Sequence, residues 1–169
     1  MAQVGYALSS EEHDPIKIVD LAKEAETHKF PFALISDHFH PWLHKQGNSP
    51  FVWSSLGAIA QHTNSLRIGT GVTAPIMRIH PVIIAQAAAT IGYLMKERFF
   101  LGLGTGEFLN EHVTSEGWPP YEVRMEMCKE AVEIILYFGR VVQKVIMVRS
   151  ILLIMLEFIP YLNNYHLFT

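Results

Sequence analysis

Four apolar segments of strand length alternate with four segments of helical periodicity over the first 138 residues. The strand-length segments are continuously apolar, which is typical of parallel strands that are covered on their faces. The helical segments carry apolar side chains three and four positions apart, and the first has an aspartate N-cap followed by proline. The pattern predicts strands at 4–8, 32–36, 67–72 and 99–103, and helices that begin at Pro15, Pro50, Pro81 and Tyr121, the last three ending near Thr63, Met95 and Phe138.

Repeated strand–helix units predict an α/β fold with a parallel sheet. The repeat fits either a doubly wound sheet or a (β/α)₈ TIM barrel, and both place functional residues at the carboxyl ends of the strands. A closed barrel typically takes about 250 residues. A chain of 169 residues with four βα units therefore corresponds to the N-terminal half of such a barrel.

Residues 139–169 differ in composition from the rest of the chain. They contain no glycine after Gly139, and their apolar run is interrupted by Lys144, Arg149 and Glu157. A transmembrane helix needs about 20 mostly apolar residues, so these charges argue against a membrane span. We expect two regions, 1–138 and an atypical apolar tail at 139–169, and the bias of the tail suggests a shifted reading frame or a truncated gene product.

The overall composition excludes several classes of function. Thirteen Lys and Arg against 16 Asp and Glu give a net charge of −3, without the basic footprint of a nucleic-acid-binding protein. The single cysteine, Cys128, cannot form an internal disulfide, and the N-terminus lacks a secretory signal pattern. We therefore expect a cytoplasmic protein that acts on a small molecule.

Candidate chemistry follows the second predicted strand, in the segment from Ser36 to Trp42. Asp37 can accept hydrogen bonds, His38 titrates near neutral pH, and Trp42 offers a flat aromatic face. The alternative interpretation is a capped turn with surface histidines. A zinc site at His38 and His40 would need further ligands from later strand ends, which the sequence does not offer, so we predict no metal site.

Glycine-rich segments follow the third and fourth strands. The fourth strand ends in Leu-Gly-Leu-Gly-Thr-Gly-Glu at 101–107, and a dinucleotide fingerprint fails there because Glu107 stands where the third glycine belongs. The backbone of such a turn can still approach a phosphate or a flat ring closely. Gly69 to Thr73 likewise leaves room for a ligand, although a simple bulge would look the same.

Taken together, these segments resemble the luciferase-like flavin and deazaflavin oxidoreductases. Within that superfamily they are most similar to the coenzyme F420-dependent glucose-6-phosphate dehydrogenases and their relatives. The resemblance covers roughly residues 3–138 and includes four motifs in order, at 36–42, 67–72, 81–86 and 101–111.

The resemblance implies a (β/α)₈ barrel, usually dimeric, that binds the deazaflavin coenzyme F420 at the carboxyl ends of its strands. It implies a non-prolyl cis peptide between Gly71 and Val72, behind the ring. By position, the cofactor-binding residues are Asp37, Gly71, Val72, Thr105, Gly106 and Asn110, and the catalytic group is His38, Trp42, Glu107 and Glu11.

The implied function is hydride transfer between a small alcohol or sugar phosphate and coenzyme F420. Such a reaction needs a base for the hydroxyl proton and an acid or positive charge for the reduced ring, roles that we assign to His38 and Glu107 together. Trp42 would pack beside the reacting carbon, and Glu11 would orient the substrate. Two alternatives stay open: an FMN-dependent luciferase-like monooxygenase, and an inactive remnant that acts only as an assembly partner through self-association.

Overall fold

The computed structural model describes residues 3–146 and 152–155, with side chains through residue 139 and the backbone alone beyond it. Short 3₁₀ turns at Lys96–Arg98 and His112–Thr114 connect some of the elements. The regular elements, in chain order, are β1 Tyr6–Leu8, α1 Pro15–Thr27, β2 Phe32–Ile35, α2 Val52–His62, β3 Arg67–Thr70, α3 Pro81–Met95, β4 Phe99–Leu103, α4 Phe108–Glu111, α5 Tyr121–Ile146 and β5 Leu152–Met155.

The predicted strand–helix alternation is confirmed over β1 to α5. Helix α1 begins as its sequence predicts, since the Asp14 carboxylate accepts the backbone N–H groups of Ile16 and Lys17, each at 2.9 Å. Several boundaries differ from the prediction. Strand β1 begins at Tyr6 rather than at residue 4, strand β2 ends at Ile35 rather than at residue 36, and helix α2 begins at Val52 rather than at residue 50. Strand β3 ends at Thr70 rather than at residue 72.

The sheet has five strands in the order β1-β2-β3-β4-β5, and every neighbouring pair is parallel. A doubly wound sheet reverses its strand order at a switch point, whereas a (β/α) barrel wall keeps chain order. The order therefore favours the barrel arrangement over the doubly wound alternative. The register pairs Leu8 with Ile35, Ile35 with Thr70, Gly69 with Phe100 and Phe100 with Leu152.

The core lies between one face of the sheet and the helices. Ala33 and Ile35 of β2 are fully buried in one cluster with helical residues such as Ile18, Leu56 and Ile84. Alternate residues of a strand point to opposite faces. The other face therefore carries the partly exposed side chains of β2, and a cavity of about 350 Å³ lies there, lined in part by Phe32, Leu34 and Phe100.

Close contact between β3 and β4 requires glycine. A Cβ atom on Gly102 would lie 2.2 Å from the Thr70 carbonyl oxygen, and one on Gly69 would lie 2.3 Å from the Phe100 carbonyl oxygen. Neither backbone oxygen can move without disturbing the ladder. These glycines therefore hold the two strands, and the loops that follow them, at short range.

Two features of the last 31 residues were not predicted. Helix α5 passes through position 138 and ends at Ile146, and residues 152–155 form β5, which pairs in parallel with β4. The proposed division of the chain at 138 stays a prediction, since residues 147–151 and 156–169 lie outside the described residues. Of the helices within 3–146, none combines the length and apolar character that crossing a membrane requires.

Candidate active site

The loops that follow β2, β3 and β4 meet at the carboxyl edge of the sheet. The loop after β2 contacts the loop after β3 through Asp37 and Thr73, whose hydroxyl donates to the carboxylate at 2.7 Å. It also contacts α4, because the Asn110 side-chain oxygen accepts the backbone N–H groups of Phe39 and His40, each at 2.7 Å. The predicted site residues therefore converge on one edge, as the parallel topology requires.

Glu11 and His38 form an ion pair at this edge. The Glu11 carboxylate contacts His38 Nδ1, and both side chains are largely buried, with 4% and 14% of their surfaces exposed. The second carboxylate oxygen of Glu11 accepts hydrogen bonds from the hydroxyls of Ser9 and Ser36, each at 2.9 Å. Ser36 Oγ in turn accepts the backbone N–H of Ser10. A network of serines thus fixes the carboxylate that faces the imidazole.

The contact between Glu11 and His38 shifts the pKa of each side chain in the direction that favours its charged form. Burial alone would raise the pKa of Glu11, but hydrogen bonds from His38, its own backbone, Ser36 and Ser9 outweigh it and lower the pKa to about 2. Burial alone would lower the pKa of His38, but the Glu11 hydrogen bond and the charges of Glu11, Glu107 and Asp37 outweigh it and raise the pKa. The contact with Glu11 therefore favours the imidazolium form of His38.

Trp42 packs against the His38 imidazole in a T-shaped arrangement. The His38 and Trp42 ring centroids are 5.0 Å apart at an interplanar angle of 89°. Trp42 itself is 55% exposed, so most of its aromatic face is open to a bound molecule. The His38 imidazole and the exposed Trp42 ring therefore lie side by side at this edge of the sheet.

Asp37 is almost completely buried and is held from two sides. Thr73 donates to Oδ2, and Arg78 Nη2 donates to Oδ1 at 2.7 Å and to the Asp37 backbone carbonyl at 3.1 Å. Sequence reasoning selected Asp37 but missed Arg78. The available signal was the one arginine in a mostly apolar loop that follows a strand end.

Asn110 and Glu107 contact each other on α4 and its N-cap. The Asn110 amide nitrogen donates to the Glu107 carboxylate, while its oxygen holds the loop after β2. Only 1% of Asn110 is exposed, so its amide serves to join α4 to that loop. Any cofactor contact by Asn110 stays a prediction.

Glu111 is a second residue that sequence reasoning missed. It is 1% exposed, and its Oε2 accepts the backbone N–H of Arg78 at 2.9 Å. Burial raises the pKa of the Glu111 carboxyl, and the charges of Glu107 and Asp37 add to the effect, while the hydrogen bond from Arg78 and its charge partly oppose it. Its position after Asn110 in a short helix carried no periodic signal.

Backbone features complete the edge. The peptide between Gly71 and Val72 is cis, as the resemblance predicts, and the Gly71 N–H donates to the Ile35 carbonyl at 2.8 Å. Thr105 is buried at 3% exposure. Gly106 has a φ of +67°, and a Cβ there would lie 2.9 Å from both Ala74 and Glu111 side-chain atoms. Glycine is therefore the residue that lets this turn pack against the loop after β3.

The described histidines at this edge face other partners than a metal ion. His38 faces Glu11, and the His40 ring stacks on the His112 ring at 5.8 Å, while His112 stacks on Phe108. Over the part of the chain with described side chains, His, Cys, Asp and Glu residues do not gather in threes that could hold a metal ion.

The sequence model of the luciferase-like monooxygenases matches residues 1–138. The chain is 46% identical over 132 residues to an F420-dependent glucose-6-phosphate dehydrogenase of Mycobacterium tuberculosis strain H37Rv, covering 77% of this chain and 39% of that protein. The enzyme of the same name from Mycolicibacterium gilvum is 43% identical over 134 residues, covering 78% of this chain and 40% of that protein.

A solved structure agrees with these relatives. An F420-dependent secondary alcohol dehydrogenase in complex with an F420–acetone adduct superimposes with a TM-score of 0.76 at 39% identity, covering 79% of this chain and 41% of that one. The chain thus spans about two fifths of the length of each of these proteins.

Proposed function

This chain belongs to the luciferase-like monooxygenase family, and on that premise we propose that its site binds the deazaflavin coenzyme F420 and takes part in hydride transfer from a small alcohol. The relatives described above act with F420 on glucose 6-phosphate or on a secondary alcohol, by their names. Because the chain spans only about two fifths of those proteins, the reaction of the whole enzyme is part of the proposal.

The observation that supports this function best is the convergence of Asp37, the Glu11–His38 pair and Glu107 beside the cis Gly71–Val72 peptide. The residues fit a planar redox ring. Glycine at 71 and 106 lets the two loop backbones pack closely at this edge, against Leu34 and against Ala74 and Glu111. Val72 is apolar, and Trp42 is exposed and flat. We infer that Asp37, Gly71, Val72, Thr105 and Gly106 hold the ring.

When bound, the coenzyme supplies a ring carbon that accepts a hydride from the substrate carbon. His38 would compensate negative charge on the reduced ring, because its contact with Glu11 favours the protonated imidazole. A group held in its protonated form is a poor base at neutral pH. We therefore propose that His38 supplies the positive charge and that Glu107 removes the proton of the substrate hydroxyl.

The other two residues have supporting roles in this proposal. Glu11 holds the imidazolium by its charge and is itself fixed by Ser9 and Ser36. Trp42, packed edge-on against His38, excludes water from one side of the reacting carbon. The proposed substrate is a small alcohol or a sugar phosphate, whose hydroxyl group would react at this edge.

FMN is the alternative cofactor. We propose that the protein is a homodimer and that it lies in the cytoplasm. The cytoplasmic assignment is supported by the single cysteine, Cys128, which is fully buried and cannot form an internal disulfide. A cofactor-indifferent assembly partner is the competing interpretation. One titration separates these three possibilities.

The test is a fluorescence titration of the full chain with F420 and, in parallel, with FMN. We expect F420 to bind and a Glu107→Gln, Asp37→Asn double variant to bind about tenfold or more weakly, since two charged contacts of the site are removed. The matched control is Glu126→Gln with Asp20→Asn, which removes two exposed carboxylates that each pair with a nearby lysine. Preference for FMN, no binding of either, or equal loss in both double variants would contradict the proposal.

A further inference from the structure

Arg78 is buried at the candidate site although no motif of the sequence marks it. It lies in the loop between β3 and α3, and only 8% of its side chain is exposed. Its guanidinium donates to both the carboxylate and the backbone carbonyl of Asp37. Two contacts from one planar group fix the position and the orientation of Asp37 together.

Arg78 also reaches the element on the other side of the site. Its Nε lies 3.6 Å from Glu111 Oε1, and its backbone N–H donates to Glu111 Oε2. Both carboxylates that face it are 1–2% exposed. Arg78 therefore connects the loop after β2, its own loop after β3, and α4, which carries the Asn110 contact.

The charges around Arg78 do not balance. One guanidinium faces two buried carboxylates, and the charges of Glu11 and Glu107 also act on the neighbouring His38. Loss of the guanidinium would leave Asp37 as an uncompensated buried charge next to His38 in the chain. A buried pair is strongly disrupted when one partner is removed.

Arg98, a partly buried arginine, has a purely structural role. Arg98 precedes β4 at the amino end of the sheet and donates to the Thr63 hydroxyl and carbonyl and to the Leu66 carbonyl. It has no carboxylate within ion-pairing distance among the described residues. Arg98 thus provides a matched control at the opposite end of the same strands.

We propose that Arg78 is the positioning residue of the deazaflavin site: it fixes Asp37 at the edge where the ring would bind and sets the charge beside His38. The inference rests on the proposed function. Lysine would restore the charge, but a single ammonium cannot replace a planar group whose Nη2 holds Asp37 while its Nε lies beside Glu111.

The experiment compares the wild type with Arg78→Met, Arg78→Lys and Arg98→Met in two measurements. The first is the pH titration of the His38 imidazole by NMR without cofactor, where Glu11, Asp37 and Glu107 are the charged groups that face it. The second is F420 affinity by fluorescence. We expect Arg78→Met to raise the His38 pKa and to weaken F420 binding about tenfold or more.

Two variants, Arg78→Lys and Arg98→Met, serve as controls. Arg78→Lys is expected to titrate like the wild type yet bind F420 more weakly, and Arg98→Met to keep both properties while losing thermal stability. Wild-type affinity in Arg78→Lys, or the same His38 titration in Arg78→Met and Arg98→Met, overturns the inference. If Arg78→Met does not fold, Arg78→Lys decides by its affinity. If the wild type does not bind F420, the proposed function fails, and the titration alone decides whether Arg78 sets the charge beside His38.

Discussion

Replacing Glu11 with glutamine removes the charge that holds His38 protonated while keeping the size of the side chain. The glutamine oxygen can still accept from Ser9 and Ser36. Its amide group would then face His38 Nδ1 as a hydrogen-bond donor, which favours the neutral imidazole. We therefore expect the His38 pKa to fall in Glu11→Gln, because burial then acts without the opposing carboxylate.

The size of the effect follows from the Glu11 pKa. A carboxyl whose pKa is lowered from 4.5 to about 2 on folding stabilises the folded state by about 3 kcal/mol at pH values well above 4.5. This contribution is lost as the pH falls from 4.5 towards 2. The raised pKa of His38 acts in the opposite sense, since its contribution is complete below the unfolded pKa and is lost as the pH rises through the folded pKa.

The assay is urea unfolding of wild type and Glu11→Gln between pH 3 and pH 8, with the His38 titration followed by NMR. The variant should be about 3 kcal/mol less stable at pH 6 and should approach the wild type below pH 4.5. Glu12→Gln is the control, since Glu12 is the exposed neighbour of Glu11. A stability difference that does not change with pH, or an unchanged His38 titration, would refute the coupling.

Two further predictions concern the scaffold. Glu26 accepts backbone N–H groups from the turn before β3, so Glu26→Ala should lower the free energy of unfolding by about 2 kcal/mol, whereas Glu24→Ala, at an exposed position of the same helix, should change it little by urea unfolding. Gly102→Ala should prevent folding, because its Cβ would lie 2.2 Å from the Thr70 carbonyl oxygen. Gly57→Ala, whose Cβ would lie 4.0 Å from the Ile91 side chain, should fold with an unchanged circular dichroism spectrum.

Local sequence signals predicted most of the fold. Asp14 caps α1, Pro81 begins α3, and the apolar run Phe99–Leu103 forms β4, because each signal acts within its own segment. Choosing a barrel wall over a doubly wound sheet needed the strand order, which no local pattern contains. Strand β5 depends on pairing with β4, and its own segment showed no turn or cap to predict it.

The site was predictable where residues directly follow strands. Asp37 and His38 come after β2, Gly71 after β3 and Glu107 after β4, and parallel topology brings these positions together. The residues that contact these side chains and hold them in place could not be predicted in the same way. Arg78 and Glu111 contact Asp37 or each other across 33 to 41 positions of the chain, and such contacts exist only once the loops are packed.

Hydrogen exchange of the full chain with and without F420 tests the central claim most directly. If one deazaflavin site lies at the carboxyl edge of β2, β3 and β4, then F420 should slow exchange at 36–42, 71–78 and 104–111 together, and leave the turn at 63–66, at the opposite end of the sheet, unchanged. Protection confined to other segments, or no protection at saturating F420, would contradict the account.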